Sequence, residues 1–242
     1  MATSSTPGEA AVAVYCGSST GNQPAYVKAA MSVGQALARA KRPLIYGGGS
    51  KGIMGVVSGA VLEGGGKVTG IVPYAMVSAG GEAEKAHSAV MVQLNEEGRE
   101  KIETIVVDSM HERKVEMARL SGGFVGLPGG FGTFEEVLEV TTWTQLGIHQ
   151  KPVVLVNVLG FWEPLRQLIK TSISSGFIKP ASEGIVIFLD GPADHALHEG
   201  FDWGSATLEA IDTWRGDPFA VLPFDWKKTR DGKIGSDNFA ST

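Results

Sequence analysis

The sequence contains one cysteine, Cys16, in 242 residues, so an internal disulfide is excluded and a reducing, cytoplasmic setting is expected. It also lacks basic runs: 21 Lys and Arg stand scattered against 26 Asp and Glu, a formal charge of −5. That balance argues against nucleic acid or an anionic membrane as partner, because both require a concentrated basic surface. No stretch approaches the roughly 18 uninterrupted apolar residues of a membrane helix. The opening "MATSSTPGEA" has neither the basic start nor the apolar core of a signal peptide. Zinc-type spacing is missing too. Of His87, His111, His149, His195 and His198, only His195-x-x-His198 is closely spaced, and no cysteine or acidic set surrounds it, so no metal is expected.

Glycine is abundant, with 33 residues clustered in "YGGGSKGIMG", "EGGGKVTG" and "SGGFVGLPGGFG". Clusters of this kind mark close backbone approaches. Between them, short Val- and Ile-rich runs alternate with segments of helical period, the pattern of a parallel sheet wrapped by helices. Strands are expected at 11–16, 43–47, 67–72, 89–94, 123–128, 152–157 and 184–189, and helices at 24–41, 53–64, 100–120, 133–147 and 161–176. Most of the strands are apolar on both faces, as in a doubly wound α/β sheet of three layers. In the fourth helix Phe134, Val137, Leu138, Thr141 and Leu146 form a broad face expected to lie on the sheet. Residues 1–9 read as a flexible N-terminus, 10–212 as one domain, and 213–242 as an irregular tail, partly packed through Phe224 and Trp226 and frayed at its end.

Ligands of an open parallel sheet bind beyond the carboxyl ends of its strands, so the loops that follow strands matter most. Three are rich in small residues: "CGSST" (16–20), with Gly17 and Ser18; "YGGGSKGIMG" (46–55), with Gly48 and Gly49; and "LPGGFGTFEE" (127–136). Glycine admits a phosphate close to backbone amides, and the helix that follows adds the positive end of its dipole. The second loop formally matches a dinucleotide fingerprint through Gly47, Gly49 and Gly52, but it follows the second strand and no acidic residue stands about 20 positions on. A Gly-Lys-Ser/Thr ending is also missing, which excludes the nucleoside triphosphatase loop. A mononucleotide or another small phosphate ester remains open, as does the plain reading of the glycines as turn formers.

Thr133-Phe134-Glu135-Glu136 is itself a Thr-x-x-Glu capping box, in which Thr133 would accept from the Glu136 amide and Glu136 would reach back. Arg113 and Lys114, within "SMHERKVEMARL", read plainly as part of a solvated charged face. Their helix immediately precedes the strand that feeds the 127–136 loop, however, so a cation and a carboxylate can converge on a glycine-lined anion seat. Cys16, at a strand end, reads as a small packed residue rather than a nucleophile.

"PGGFGTFEE", from Pro128 to Glu136, resembles the Pro-Gly-Gly-x-Gly-Thr-x-x-Glu signature of the LONELY GUY (LOG) proteins, cytokinin-activating nucleoside 5′-monophosphate phosphoribohydrolases. "SMHERKVEMARLS" and "YGGGSKGIMGVVSGAVLEGGGKVTGIVP" are similar to the other two signature stretches of that family, in the same order, and the resemblance spans about residues 10–190. It is also similar to sequences labelled lysine decarboxylase, although nothing in it looks like a pyridoxal phosphate site. The resemblance implies a Rossmann-like fold, a homodimer, no cofactor, and hydrolysis of the N-glycosidic bond of an N6-substituted AMP, and of AMP itself, to free base and ribose 5-phosphate. Residue by residue it implies Arg113 and Glu136 as the catalytic pair. Met110, Lys114, Gly129, Gly130, Phe131, Gly132, Thr133, Phe134, Glu135 and Thr142 match positions that contact the nucleotide. An acidic residue of the family corresponds here to Asn95, with Glu96 and Glu97 adjacent. Trp143 and "QLGIHQKP" are implied as part of a dimer face.

A carboxylate beside the scissile bond has a chemical reason, since cleavage of a ribosyl C–N bond passes through a cation-like sugar. The competing reading is a non-catalytic nucleotide-binding or carrier module on the same fold, which would need neither Arg113 nor Glu136.

Overall fold

Seven parallel strands form one sheet in the order β4-β3-β2-β1-β5-β6-β7. The computed structural model describes residues 10–77, 92, 99–216, 222, 224–228 and 234–241. The strands are β1 (Val12–Tyr15), β2 (Leu44–Tyr46), β3 (Val68–Pro73), β4 (Ile102–Val107), β5 (Gly123–Gly126), β6 (Val153–Val156) and β7 (Val186–Leu189). The helices are α1 (Pro24–Arg39), α2 (Gly52–Glu63), α3 (Met110–Leu120), α4 (Phe131–Gln145), α5 (Glu163–Ser174) and α6 (Trp203–Thr213). Every residue of β1, β2, β3, β5 and β6 is buried, because helices cover both faces of the sheet. The cores follow from this: Val14, Leu37, Val57 and Trp203 belong to one face, and Phe124, Met117, Val137 and Trp143 to the other. Strand order reverses between β1 and β5, whose last residues Tyr15 and Gly126 pair in register. The loops after these two strands therefore leave the sheet side by side, at the switch point where such folds bind ligands.

Residues 100–120 are not one helix. "IETIVV" pairs along β3 as the edge strand β4, and α3 begins only at Met110. The break is a Ser-x-x-Glu capping box: Ser109 Oγ accepts from the Glu112 amide at 3.0 Å, and the Glu112 carboxylate accepts from the Asp108 amide at 2.8 Å. The strand expected at 89–94 lies outside the described residues except for Val92, which bridges to Val77. Residues 1–9 and Asn95, Glu96 and Glu97 lie outside them as well.

Sequence periodicity missed α6, although Asp202 caps it by accepting from the Ser205 amide at 3.0 Å. On α4 the expected face is rotated. Thr133, Glu136, Val137, Val140, Trp143 and Thr144 are buried, whereas Phe134 and Leu138 face outward beside Phe161, Trp162, Pro164, Leu165 and Leu168. The described residues of the tail pack on the domain. Trp226 Nε1 donates to Leu146 O at 2.7 Å, and the Phe239 ring packs on Trp143, His149 and Lys151. Trp143 and the 145–152 turn, implied as a dimer face, are thus covered by the tail of the same chain.

Candidate active site

An open cavity of about 250 Å³ lies at the switch point. Tyr15, Cys16, Gly17 and Ser18 from β1 and its loop line one side, with Gly47, Gly49 and Met54 beside them; Gly130 to Thr133 and Glu136 supply the start of α4. Arg113 reaches in from α3, and Met76 and Val92 add an apolar wall. The loops are tied to one another by backbone bonds, Gly17 N–H to Pro128 O at 3.1 Å and Met54 N–H to Gly17 O at 3.3 Å.

The start of α4 corrects the capping-box expectation. The helix begins at Phe131 with Gly130 as its N-cap, and no side chain caps it. Thr133 and Glu136 therefore sit inside the helix: Thr133 in the first turn, Glu136 in the second. An uncapped first turn presents amide hydrogens that the helix itself cannot satisfy, the arrangement that seats a phosphate. Gly129 is needed because a Cβ there would fall 2.1 Å from Thr133 Oγ1 and 2.8 Å from the Gly17 nitrogen.

Arg113 and Glu136 are each 8% exposed. Arg113 Nη2 lies 3.5 Å from Glu136 Oε1, too long for a strong ion pair, and Arg113 Nε has no partner. Gly47 makes room for the guanidinium, since a Cβ at that position would meet Arg113 Nη2 at 2.1 Å. Burial pushes the Glu136 carboxyl up to about 7 against the opposing pull of Arg113, with the nearby Glu135 also raising it. The carboxyl is thus poised to exchange a proton near neutral pH.

The structure brings Gly17, Ser18, Gly49, Arg113, Gly130, Phe131, Gly132, Thr133 and Glu136 to one cavity. Other expected contacts lie beside or away from it. Lys114 Nζ is held by Glu135 at 2.5 Å and Glu139 at 3.0 Å, and these bonds keep its ammonium above its ordinary range despite burial. Phe134 packs on Phe161 and Trp162. Thr142 donates to Leu138 O further along α4, and Met110 is a half-exposed residue whose sulfur touches Arg113 Nη1. Gly48 and Gly129 shape the loops from outside the lining, with Gly48 at φ +82°. Sequence reasoning did not single out Tyr15, Met54 or Met76 as lining residues. Tyr15 had one available signal, its place just before the small-residue loop at 16–20. Burial raises the Cys16 thiol far above its ordinary range, in keeping with a packed residue. Among the described residues no group of three metal-ligating side chains occurs.

A family model described as "possible lysine decarboxylase" matches residues 54–198. The cytokinin riboside 5′-monophosphate phosphoribohydrolase LOG5 of Arabidopsis thaliana is 46% identical over 176 residues, 73% of this chain and 71% of that protein. LOG7 of the same plant, of the same described activity, is 42% identical over 176 residues, 73% of this chain and 74% of that protein. Among solved structures, the molybdenum cofactor carrier protein of Chlamydomonas reinhardtii superposes with a TM-score of 0.52 at 19% identity, covering 84% of this chain and 96% of that one, a likeness of fold alone.

Proposed function

Because the chain belongs to the LONELY GUY family, we propose that it hydrolyses the N-glycosidic bond of N6-substituted adenosine 5′-monophosphates, and of AMP, to free base and ribose 5-phosphate. The observation that carries this reading is the buried Arg113–Glu136 pair beside an uncapped, glycine-lined helix start. In this reading the amides of 130–133 hold the 5′-phosphate, and binding energy from that unreactive group positions the bond that breaks. As the C–N bond lengthens, positive charge grows on the sugar, and in this reading the Glu136 carboxylate stabilises that charge. Glu136 also orients a water, whose hydroxyl ends on the anomeric carbon and whose proton ends on the departing base. Arg113 orients Glu136 and assists departure of the base. No metal or organic cofactor is needed for this hydrolysis.

A homodimer fits an apolar groove between α4 and the start of α5, lined by Phe134, Leu138, Phe161 and Leu168. No helix among the described residues is long and apolar enough to cross a membrane, and a cytoplasmic location accords with the single buried cysteine.

The test is to incubate the protein with AMP and with N6-(isopentenyl)adenosine monophosphate and to assay free base and ribose 5-phosphate. Release of both supports hydrolysis. Tight nucleotide binding without release would instead favour a carrier module, the reading that has the fold but no use for the Arg113–Glu136 pair.

A further inference from the structure

Three of the unpartnered buried polar atoms among the described residues belong to the surroundings of the site: Tyr15 Oη, Arg113 Nε and Glu139 Oε2. Arg113 already has a role there, and Glu139 holds Lys114 through its other oxygen. Tyr15 has neither. It ends β1, is 2% exposed, and lines the cavity with Arg113 and Glu136. Its ring is fixed by stacking on Phe124, with centroids 6.1 Å apart and planes 7° apart, and its carbonyl is bound by the Leu127 amide at 2.9 Å. A hydroxyl buried without a partner is a cost that phenylalanine would not carry, so it asks for an explanation other than packing.

We propose that Tyr15 is a positioning residue for Glu136, its phenol donating a hydrogen bond to the Glu136 carboxylate when that group ionises and holding it toward the sugar. The proposal deepens the hydrolase reading and rests on it for its use in turnover. The placement suits the role, because Tyr15 at the end of β1 and Arg113 on α3 both line the cavity that Glu136 lines. Burial, with the nearby carboxylates of Glu136, Glu139 and Glu135, keeps the phenol proton firmly bound against the opposing pull of Arg113. It is therefore a donor and not a competing base. The charged and titratable groups facing Glu136 are Arg113 and Lys114 from α3, Glu135 and Glu139 from its own helix, Tyr15 at the end of β1 and Cys16 just after it. Of these, Tyr15 and Cys16 are neutral donors in the cavity wall, and the phenol is the stronger donor of the two.

The experiment titrates the Glu136 carboxyl in the substrate-free protein by carbon NMR of labelled glutamate, with the signal assigned by its loss in Glu136→Gln. Tyr15→Phe removes a donor that favours the charged form, so the midpoint should rise by about half to one pH unit. The acid limb of base release should move up with it, with KM little changed and the rate recovering at high pH. Fluorinating the ring, with 3-fluorotyrosine at position 15, strengthens the donor and should move the midpoint down, which guards against a Phe variant that folds poorly. An unchanged or lowered midpoint in Tyr15→Phe, or an unchanged or raised one with the fluorinated ring, overturns the proposal. Because the titration needs no turnover, failure of Tyr15 is distinct from failure of the hydrolase reading, which is read from base release by the unaltered protein.

Discussion

Arg42 and Arg113 are both buried arginines, 2% and 8% exposed, yet the chain treats them in opposite ways. Arg42 spends its donors at once: Nε bonds to Ala10 O at 2.9 Å, and Nη1 to Asp212 at 2.8 Å, tying the start of β1 to the end of α6. Arg113 keeps its donors in reserve, with a 3.5 Å approach to Glu136, a weak contact from Nη1 to the Met110 sulfur and an unpartnered Nε. A satisfied buried cation holds a fold together, whereas an unsatisfied one is a cost that only a ligand or a reaction can recover. The same contrast separates Lys114, fully engaged by Glu135 and Glu139, from the guanidinium next to it in sequence.

The comparison breaks most visibly at Arg113. Arg113→Ala should lower kcat/KM for base release by about a thousandfold, the scale of losing a charge aimed at the reacting centre, with only a small change in melting temperature. Arg42→Ala should do the reverse, costing about 2 kcal/mol in urea unfolding by leaving the Ala10 carbonyl without its donor and emptying the space of a buried side chain, with the half-exposed Asp212 staying solvated and kcat unchanged.

Glu136 adds a pH dependence with a definite sign. Its folded-state pKa of about 7 is raised above the ordinary value of 4.5, so the folded chain binds the extra proton. Stability should therefore fall as pH rises from the ordinary value toward 7, and Glu136→Gln should be more stable than the parent at pH 8 by about 2 kcal/mol, with the difference vanishing by pH 4. Thermal melts of both proteins across that range check it. Gly47→Ala, whose new Cβ would displace the guanidinium without removing its charge, should cut kcat/KM by about tenfold and move the pH of half-maximal rate upward, because Arg113 is what holds the Glu136 carboxyl down.

Much of the fold was legible because buried parallel strands must be apolar on both faces, which is why "VAVY", "VVLV" and "FVG" stand out. The boundary between β4 and α3 was not, although Ser109 and Glu112 carried the signal, because "IETIVVDSMHERKVEM" reads with helical spacing until pairing with β3 is known. Thr133-x-x-Glu136 matched a capping box in letters only. The cap lies three residues before Thr133, on Gly130, which has no side chain to cap with, and this is what leaves the first-turn amides open. The pair Arg113 and Glu136 was found through the family motifs. Their loose contact, the room made by Gly47 and the stranded Tyr15 hydroxyl depend on contacts across the switch point between β1 and β5, which no local pattern encodes. The α4 face was misjudged for a related reason. Phe134 and Leu138 are as apolar as Val137 and Val140, and helical period alone does not decide which pair meets the sheet.

The most direct test of the central claim, that Glu136 is held for chemistry rather than for the helix, is single-turnover release of base from saturating AMP by Glu136→Gln, with nucleotide binding measured on the same sample by calorimetry. The account predicts that binding is retained and release falls at least about a hundredfold. Release at a rate close to that of the parent protein would contradict it.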